Sequence, residues 1–422
     1  MNFLWLSWSL ALMAAPTIEL PPTTEVAALA TRALDGDARA LAELRALGQP
    51  GLDVLRTLRA ELSSVPPFPS ADPRATAWDT LIDRVARQQY ATLSGLYWHT
   101  DLEAAKVVAQ KQGKPILSLR LLGDLDETLS CANSRFFRTL LYPDAAVRAA
   151  LHDRFVLHWE SVRKAPKITI DFGDGRVLTR TVTGNSLHYL LDGQGRVVDA
   201  LPGLVGPEAF VAWLDRVSPF AISAGRLDDR AFAKARAGQH GTWKADGLAR
   251  WRDALAAIGV DVPNDADALR AATTEEALGR LAARRPTALR IAPEHVGFFD
   301  RIFPTAEEAA PLAITKAAVE RPMLPWLRNL RGIIARDEIH NETVLHTAIH
   351  DLFDADASLV PEPITRRIYA GVFLTPLDDP FMGLAPADVF TAIPADIERK
   401  GDDTGAVFGL GDVGRPGRRL TP

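Results

Sequence analysis

The chain is poor in cysteine: Cys131 is the only one in 422 residues. A single thiol excludes any internal disulfide, so this is not a disulfide-stapled scaffold and its stability has to come from packing. A strong excess of basic or acidic residues is lacking too: 48 Lys and Arg stand against 53 Asp and Glu, a formal net charge of −5 with a pI of about 6.0. No run of Lys or Arg interleaved with aromatics occurs, so nucleic acid is not expected as a partner. Long apolar runs are also lacking. Phe3–Ala15 is uncharged and apolar, but it falls short of the roughly 20 residues that a spanning helix needs, and no stable membrane span is expected. Residues 243–290 contain neither a Gly-rich phosphate loop nor a dense acidic cluster, and no H-E-x-x-H pattern occurs. No cofactor is assigned.

What is present is the composition of a folded protein, 47% hydrophobic and 24% charged, long enough for two to three domains. Phe3–Ala15, followed by Pro16 and a polar stretch, has the length of a secretory h-region, so residues 1–15 read as a signal peptide and the protein as extracytoplasmic, periplasmic or secreted. Residues 20–92 read as short antiparallel helices, with Val26, Leu29 and Leu34, then Leu41, Leu44 and Leu47, then Leu55, Leu58 and Leu62 at helical spacing. A Pro-rich linker, VPPFPSADP, separates these from a helix over Thr76–Leu93. Residues 226–324 and 325–400 read as helical regions, and 401–422 as a flexible Gly-rich tail.

Residues 93–220 follow a different pattern. Thr100 and Glu103 read as a capping box opening a helix that ends at Gly113, and PILSLRLL is a strand with Leu117, Leu119 and Leu121 on one face. Cys131 opens a helix that Pro143 stops, and a second helix precedes a strand with Phe155, Leu157 and Trp159 alternating. Two hairpins follow, turning at Gly173-Asp174-Gly175 and Gly193-Gln194-Gly195, and a helix from Pro207 closes the unit.

This order resembles the thioredoxin superfamily, above all its exported members. Trp98 with DLEAAKVVAQKQGKPILSL is similar to the family's opening helix and central strand, and LLDGQGRVVDALPG to its last hairpin. The resemblance implies an α/β thioredoxin-like domain flanked by mainly α-helical N- and C-terminal regions. Two departures accompany it. Cys131-Ala132-Asn133-Ser134 is a Cys-x-x-Ser pattern, as in monothiol glutaredoxins and thiol-retention members of the disulfide-isomerase group, and Ser186 stands where the family usually has a cis-proline. The first rules out an intramolecular dithiol cycle, and the second puts strand-like pairing with a client in doubt.

A cysteine at a helix start is expected to favour its thiolate, through unpaired N–H groups and the helix dipole, and Ser134 and Arg135 are placed to assist. Such a thiolate forms a mixed disulfide that a protein or low-molecular-weight thiol must resolve. Trp98, His99, Asp126, Ser186, His188 and Tyr189 are candidates to surround it, with His188 placed to tune it. The expected function is an exported monothiol thioredoxin-like oxidoreductase with Cys131 as nucleophile and Ser134 as thiolate stabiliser. Its rivals are a non-catalytic thioredoxin-fold interaction protein, favoured if Cys131 is buried with a raised pKa, and a metal-binding protein using the C-terminal helix. If the C-terminal helices cover the Cys131 face, access to the thiol requires them to move.

That C-terminal helix runs over residues 325–353 with Trp326, Leu330, Ile334, Val344, Leu345, Ala348 and Leu352 as its apolar stripe. Projection at 100° per residue places Asp337 and Asn341 inside the stripe, as a structural polar pair holding a neighbouring loop. Glu342, His346 and His350 have a spacing that suits a metal but project toward solvent, so no metal ligand is assigned. The sequon Asn341-Glu342-Thr343 falls inside the helix and reads as chance.

Overall fold

Leu and Ala recurring at three- and four-residue spacing build α1 (Thr23–Leu34), α2 (Ala38–Ala46) and α3 (Gly48–Leu62). The computed structural model describes residues 21–62, 72–181, 184–285, 287, 289, 323–355 and 359–383, so the leader 1–15 and the tail 401–422 lie outside the described residues. Asp37 caps α2 by accepting from the Arg39 and Ala40 amides. Pro50 and Gly51, residue types that often interrupt helices, lie within α3. They sit in the first turn of α3, where a proline costs no hydrogen bond.

The helix expected to reach Leu93 stops earlier. α4 (Pro73–Ala86) ends where Arg87 and Tyr90 take positive φ, and the Asp83 carboxylate accepts from the Tyr90 (3.0 Å) and Ala91 (2.7 Å) amides, starting the single turn α5 (Ala91–Ser94). The apolar faces of these helices form their own core around Val26, Leu44, Leu55, Ile82 and Val85.

α6 (Leu102–Gln112) is capped by Asp101 rather than Thr100, and Gly113 ends it in the left-handed region. It leads into β1 (Ile116–Leu122), every residue of which is buried. α7 (Ala132–Phe136) runs into a π-helical turn, Phe137–Leu141, and α8 (Ala145–Arg154) into β2 (Val156–Arg163). β5 (Ser186–Leu191) and β6 (Val197–Pro202) complete a four-stranded sheet in the order β2-β1-β5-β6, with β1 parallel to β2 and antiparallel to β5. The strands β3 (Lys167–Asp171) and β4 (Val177–Thr181) pair only with each other, as a separate exposed hairpin.

Both faces of the four-stranded sheet are covered, which is why its strands read as nearly continuous apolar runs. On one face Leu117, Leu119 and Leu121 belong to a core shared with Cys131, Phe137 and α9 (Pro207–Ala224). On the other, Ile116, Leu187, Tyr189 and Leu191 meet Ala105 and Ala109 of α6 together with side chains of two C-terminal helices, α14 (His346–Ala355) and α15 (Pro361–Gly371). Arg120, buried on β1, fixes α15 through an ion pair with Glu362 at 3.1 Å. Between α9 and α14 lie α10 (Asp229–Ala257), α11 (Ala266–Ala272), α12 (Glu275–Arg284) and α13 (Met323–His340). No helix among the described residues is long and apolar enough to cross a membrane.

α13 does not continue into α14 as one α-helix. A π-helical turn, Asn341–Leu345, joins them. Each i→i+5 turn carries one residue more than an α-turn, so a 100° projection through it is displaced by one position. Residues 345, 348 and 352 are expected to face inward, and the buried ones are His346, Thr347, Ile349, His350 and Phe353. In α13 the buried carboxylate is Glu338, and Asp337 is only half-buried. Glu338 accepts from the Gly206 amide at 2.7 Å, and buried Asn341 donates to the Leu204 carbonyl at 2.7 Å. Together they hold the turn between β6 and α9. Gly203 has φ +65° there, and a Cβ on it would stand 2.5 Å from the Asn341 amide nitrogen.

Candidate functional site

Cys131 is the N-cap of α7. Its sulfur accepts from the Ser134 amide at 3.4 Å, and its own amide donates to the Leu122 carbonyl at 3.1 Å. The Ser134 hydroxyl donates to the Cys131 carbonyl at 3.0 Å and pairs with the Ser130 hydroxyl at 2.5 Å, and like the Ser134 amide it pulls the thiol's pKa down. Helix-start placement is therefore as expected, but the thiol is fully buried. Burial pushes the Cys131 pKa up, against the opposing pull of the Ser134 amide. This corrects the expectation of a favoured thiolate: desolvation outweighs the few N–H groups of a one-turn helix.

The residues proposed to surround the thiol are bound to other partners. The Trp98 indole donates to Gln88 at 2.8 Å, Ser186 accepts from Asn133 at 2.9 Å, and Asp126 pairs with Arg87 at 3.0 Å. His188 hydrogen-bonds the Tyr142 hydroxyl at 2.8 Å between the rings of Phe137 and Phe210, and burial lowers its pKa to about 3. Tyr189 bonds Thr365 at 2.9 Å on the opposite face, and half-buried Arg135 gives its carbonyl to the Thr139 hydroxyl. His99 pairs through its backbone with β2, its amide donating to the Leu157 carbonyl.

The C-terminal segment closes over this region. Tyr369 of α15 and Met382 share the buried core with Cys131. The Tyr369 hydroxyl donates to the Asn185 carbonyl (3.1 Å), and the Asn185 amide donates to Thr375 (2.9 Å). Arg163 donates to the carbonyls of Leu377 (3.1 Å) and Asp379 (2.7 Å), tying down the end of the segment.

A second constellation lies at β6, where the sequence reading assigned nothing. Asp199, the one acidic residue of the apolar strand VVDALP, is fully buried. Its carboxylate accepts from the Trp213 indole (2.9 Å) and faces the Nε2 atoms of His346 and His350, each at 3.1 Å from Oδ1. His240 of α10 stacks on His350 with ring centroids 4.9 Å apart. Burial pushes the Asp199 pKa up, but the two histidines more than reverse it and hold it well below the usual carboxylate range. His346 and His350, expected to face solvent, are turned inward by the π-helical turn before them.

Both histidines line a cavity of about 490 Å³ between α9, α10, α12 and the π-helical turn. Trp213, Trp243 and Trp251 contribute to its walls, and Arg216, Lys244, Arg250, Arg284 and Arg285 outnumber the single lining carboxylate, Glu342. The Arg216 Nε is buried without a hydrogen-bond partner. An acid inside an apolar strand and two histidines four apart were the signals available in the sequence. The turn that brings them together was not. Comparison with known proteins gives no match to this chain, whether by family model, curated sequence or solved structure.

Proposed function

We propose that this is a thioredoxin-like protein that works by binding rather than by thiol exchange, and that its ligand site is the tryptophan- and arginine-lined cavity beside Asp199. The strand order β2-β1-β5-β6, with a cysteine capping the helix after β1, supports the thioredoxin-like reading. The observation that carries the functional part is a contrast: the thiol is closed and a formed cavity is open elsewhere. A buried thiol with a raised pKa is a small core residue, not a nucleophile.

The walls define the ligand class. Aromatic faces take a flat apolar body, and basic side chains with one unsatisfied guanidinium nitrogen take an anionic group. The ligand is a small aromatic or amphipathic anion. Titration with 8-anilinonaphthalene-1-sulfonate, followed by its emission and by tryptophan quenching, tests this. Saturable one-to-one binding, weakened roughly tenfold in Arg216→Ala and unchanged in Cys131→Ser, is expected. Binding that is non-saturable, or equal in wild type, Arg216→Ala and Trp251→Ala, contradicts it.

A further inference from the structure

Three elements remote in sequence bring Asp199, His240 and His350 together: β6, α10 and α14. One oxygen of Asp199 and one ring nitrogen of each histidine lie within 4.8 Å of one another, and all three residues are buried. His350 Nε2 stands 3.1 Å from Asp199 Oδ1. Ligands at the usual ~2.0–2.1 Å from a tetrahedral zinc ion are about 3.3 Å apart, so this pair already has the spacing of two ligands on one ion.

His240 supplies the second, independent observation. Its Nε2 donates to the Val198 carbonyl at 2.7 Å, which fixes the tautomer and leaves Nδ1 as the lone-pair nitrogen. Nδ1 is buried and has no partner. A buried acceptor left unsatisfied costs on the order of 1–3 kcal/mol, and a ring held by a backbone carbonyl with its other nitrogen free is how metal-binding histidines are commonly presented. Asp199 adds an anionic oxygen donor, fully buried among imidazoles and an indole and with no Lys or Arg among its hydrogen-bond donors to compete for it.

We propose that Asp199, His240 and His350 bind one divalent transition-metal ion, with His346 positioning the Asp199 carboxylate and the fourth coordination position facing the cavity. His346 Nε2 stands 3.1 Å from both carboxylate oxygens and so orients the group without having to join the ion. Nitrogen and oxygen donors without sulfur suit zinc, and two histidines plus a carboxylate leave a position open. This inference does not depend on the identity of the organic ligand, because it is tested with the metal alone.

The test uses the full chain stripped with a chelator. Zinc is titrated in competition with a chromogenic indicator, and cobalt is added separately for its visible spectrum. One zinc per chain and the intense visible bands of tetrahedral cobalt, without thiolate charge transfer, are expected. His240→Ala and His350→Ala should each weaken zinc roughly a hundredfold, and His346→Ala about tenfold, as loss of an orienting partner does. His152→Ala, a surface histidine paired with Asp53 and Asp153, should change nothing. Absence of stoichiometric zinc binding overturns the proposal, as does full affinity in both His240→Ala and His350→Ala. If circular dichroism shows those variants unfolded, the cobalt spectrum of the wild-type chain decides, and a weak octahedral spectrum or none refutes the site.

Discussion

Acid should weaken this fold through histidines that are buried neutral, and His188 gives the cleanest measure. His158 and His188 are both buried, and burial lowers the pKa of each to about 3 from an ordinary 6.5, with the Arg120 charge adding to the effect at His158. In the unfolded chain each takes a proton near pH 6.5, and in the folded chain it does not until about pH 3. The unfolded state therefore binds more protons across this window, and stability falls as pH drops through 6.5 and keeps falling toward 3. Between pH 7 and pH 5 each histidine contributes a loss of about 2 kcal/mol, or about 4 kcal/mol for the pair. Asp83 opposes this: burial raises its pKa to about 7 from 3.8. Its proton therefore favours the folded chain as pH falls below 7, by about 2 kcal/mol at most by pH 5. Replacing His188 by Phe isolates one contribution, because the site already lies between Phe137 and Phe210. The variant loses the bond to Tyr142, so its stability at pH 7 drops by about 1 kcal/mol or more. Its difference between pH 7 and pH 5 nevertheless shrinks by about 2 kcal/mol relative to wild type. Urea unfolding followed by circular dichroism at pH 7, 6 and 5 measures both quantities, and an unchanged pH difference in His188→Phe would refute the reasoning.

Other expectations follow from single contacts. Asp79→Ala leaves the buried Arg59 guanidinium without the carboxylate it contacts at 2.9 Å and should cost about 3–5 kcal/mol in urea unfolding; a loss below 1 kcal/mol would mean that water reaches the pair. Glu338→Ala strands the buried Gly206 amide and should cost about 1–3 kcal/mol, with faster amide exchange confined to the turn after β6; a uniform change in exchange would contradict the contact. Tyr369→Ala removes a fully buried ring and its bond to Asn185, and should speed labelling of Cys131 more than tenfold without changing the order of labelling with pH.

The sheet was legible because its strands carry their own pattern. PILSLRLL, SLHYLLD and RVVDALP all appear as strands near the expected bounds, and Pro207 opens α9 as read. Helix caps were nearly legible, with Asp101 taking the role given to the adjacent Thr100. Positions set by tertiary context were not. Nothing local in NETVL announces a π-helical turn, yet that turn moves the buried face by one residue and converts His346 and His350 from solvent-facing to site-forming. The sign of the Cys131 shift was missed for a similar reason. The helix-start argument is local, whereas the burial that overrides it depends on the core around Leu121 and on Tyr369, distant in sequence.

Alkylation of Cys131 by iodoacetamide across pH 6 to 9, on the native chain and in urea, tests the central claim of a closed thiol most directly. The account predicts slow native labelling throughout this range and a large acceleration on unfolding. Fast native labelling with an apparent pKa well below the ordinary value of about 8.5 would contradict it and return the protein to monothiol chemistry.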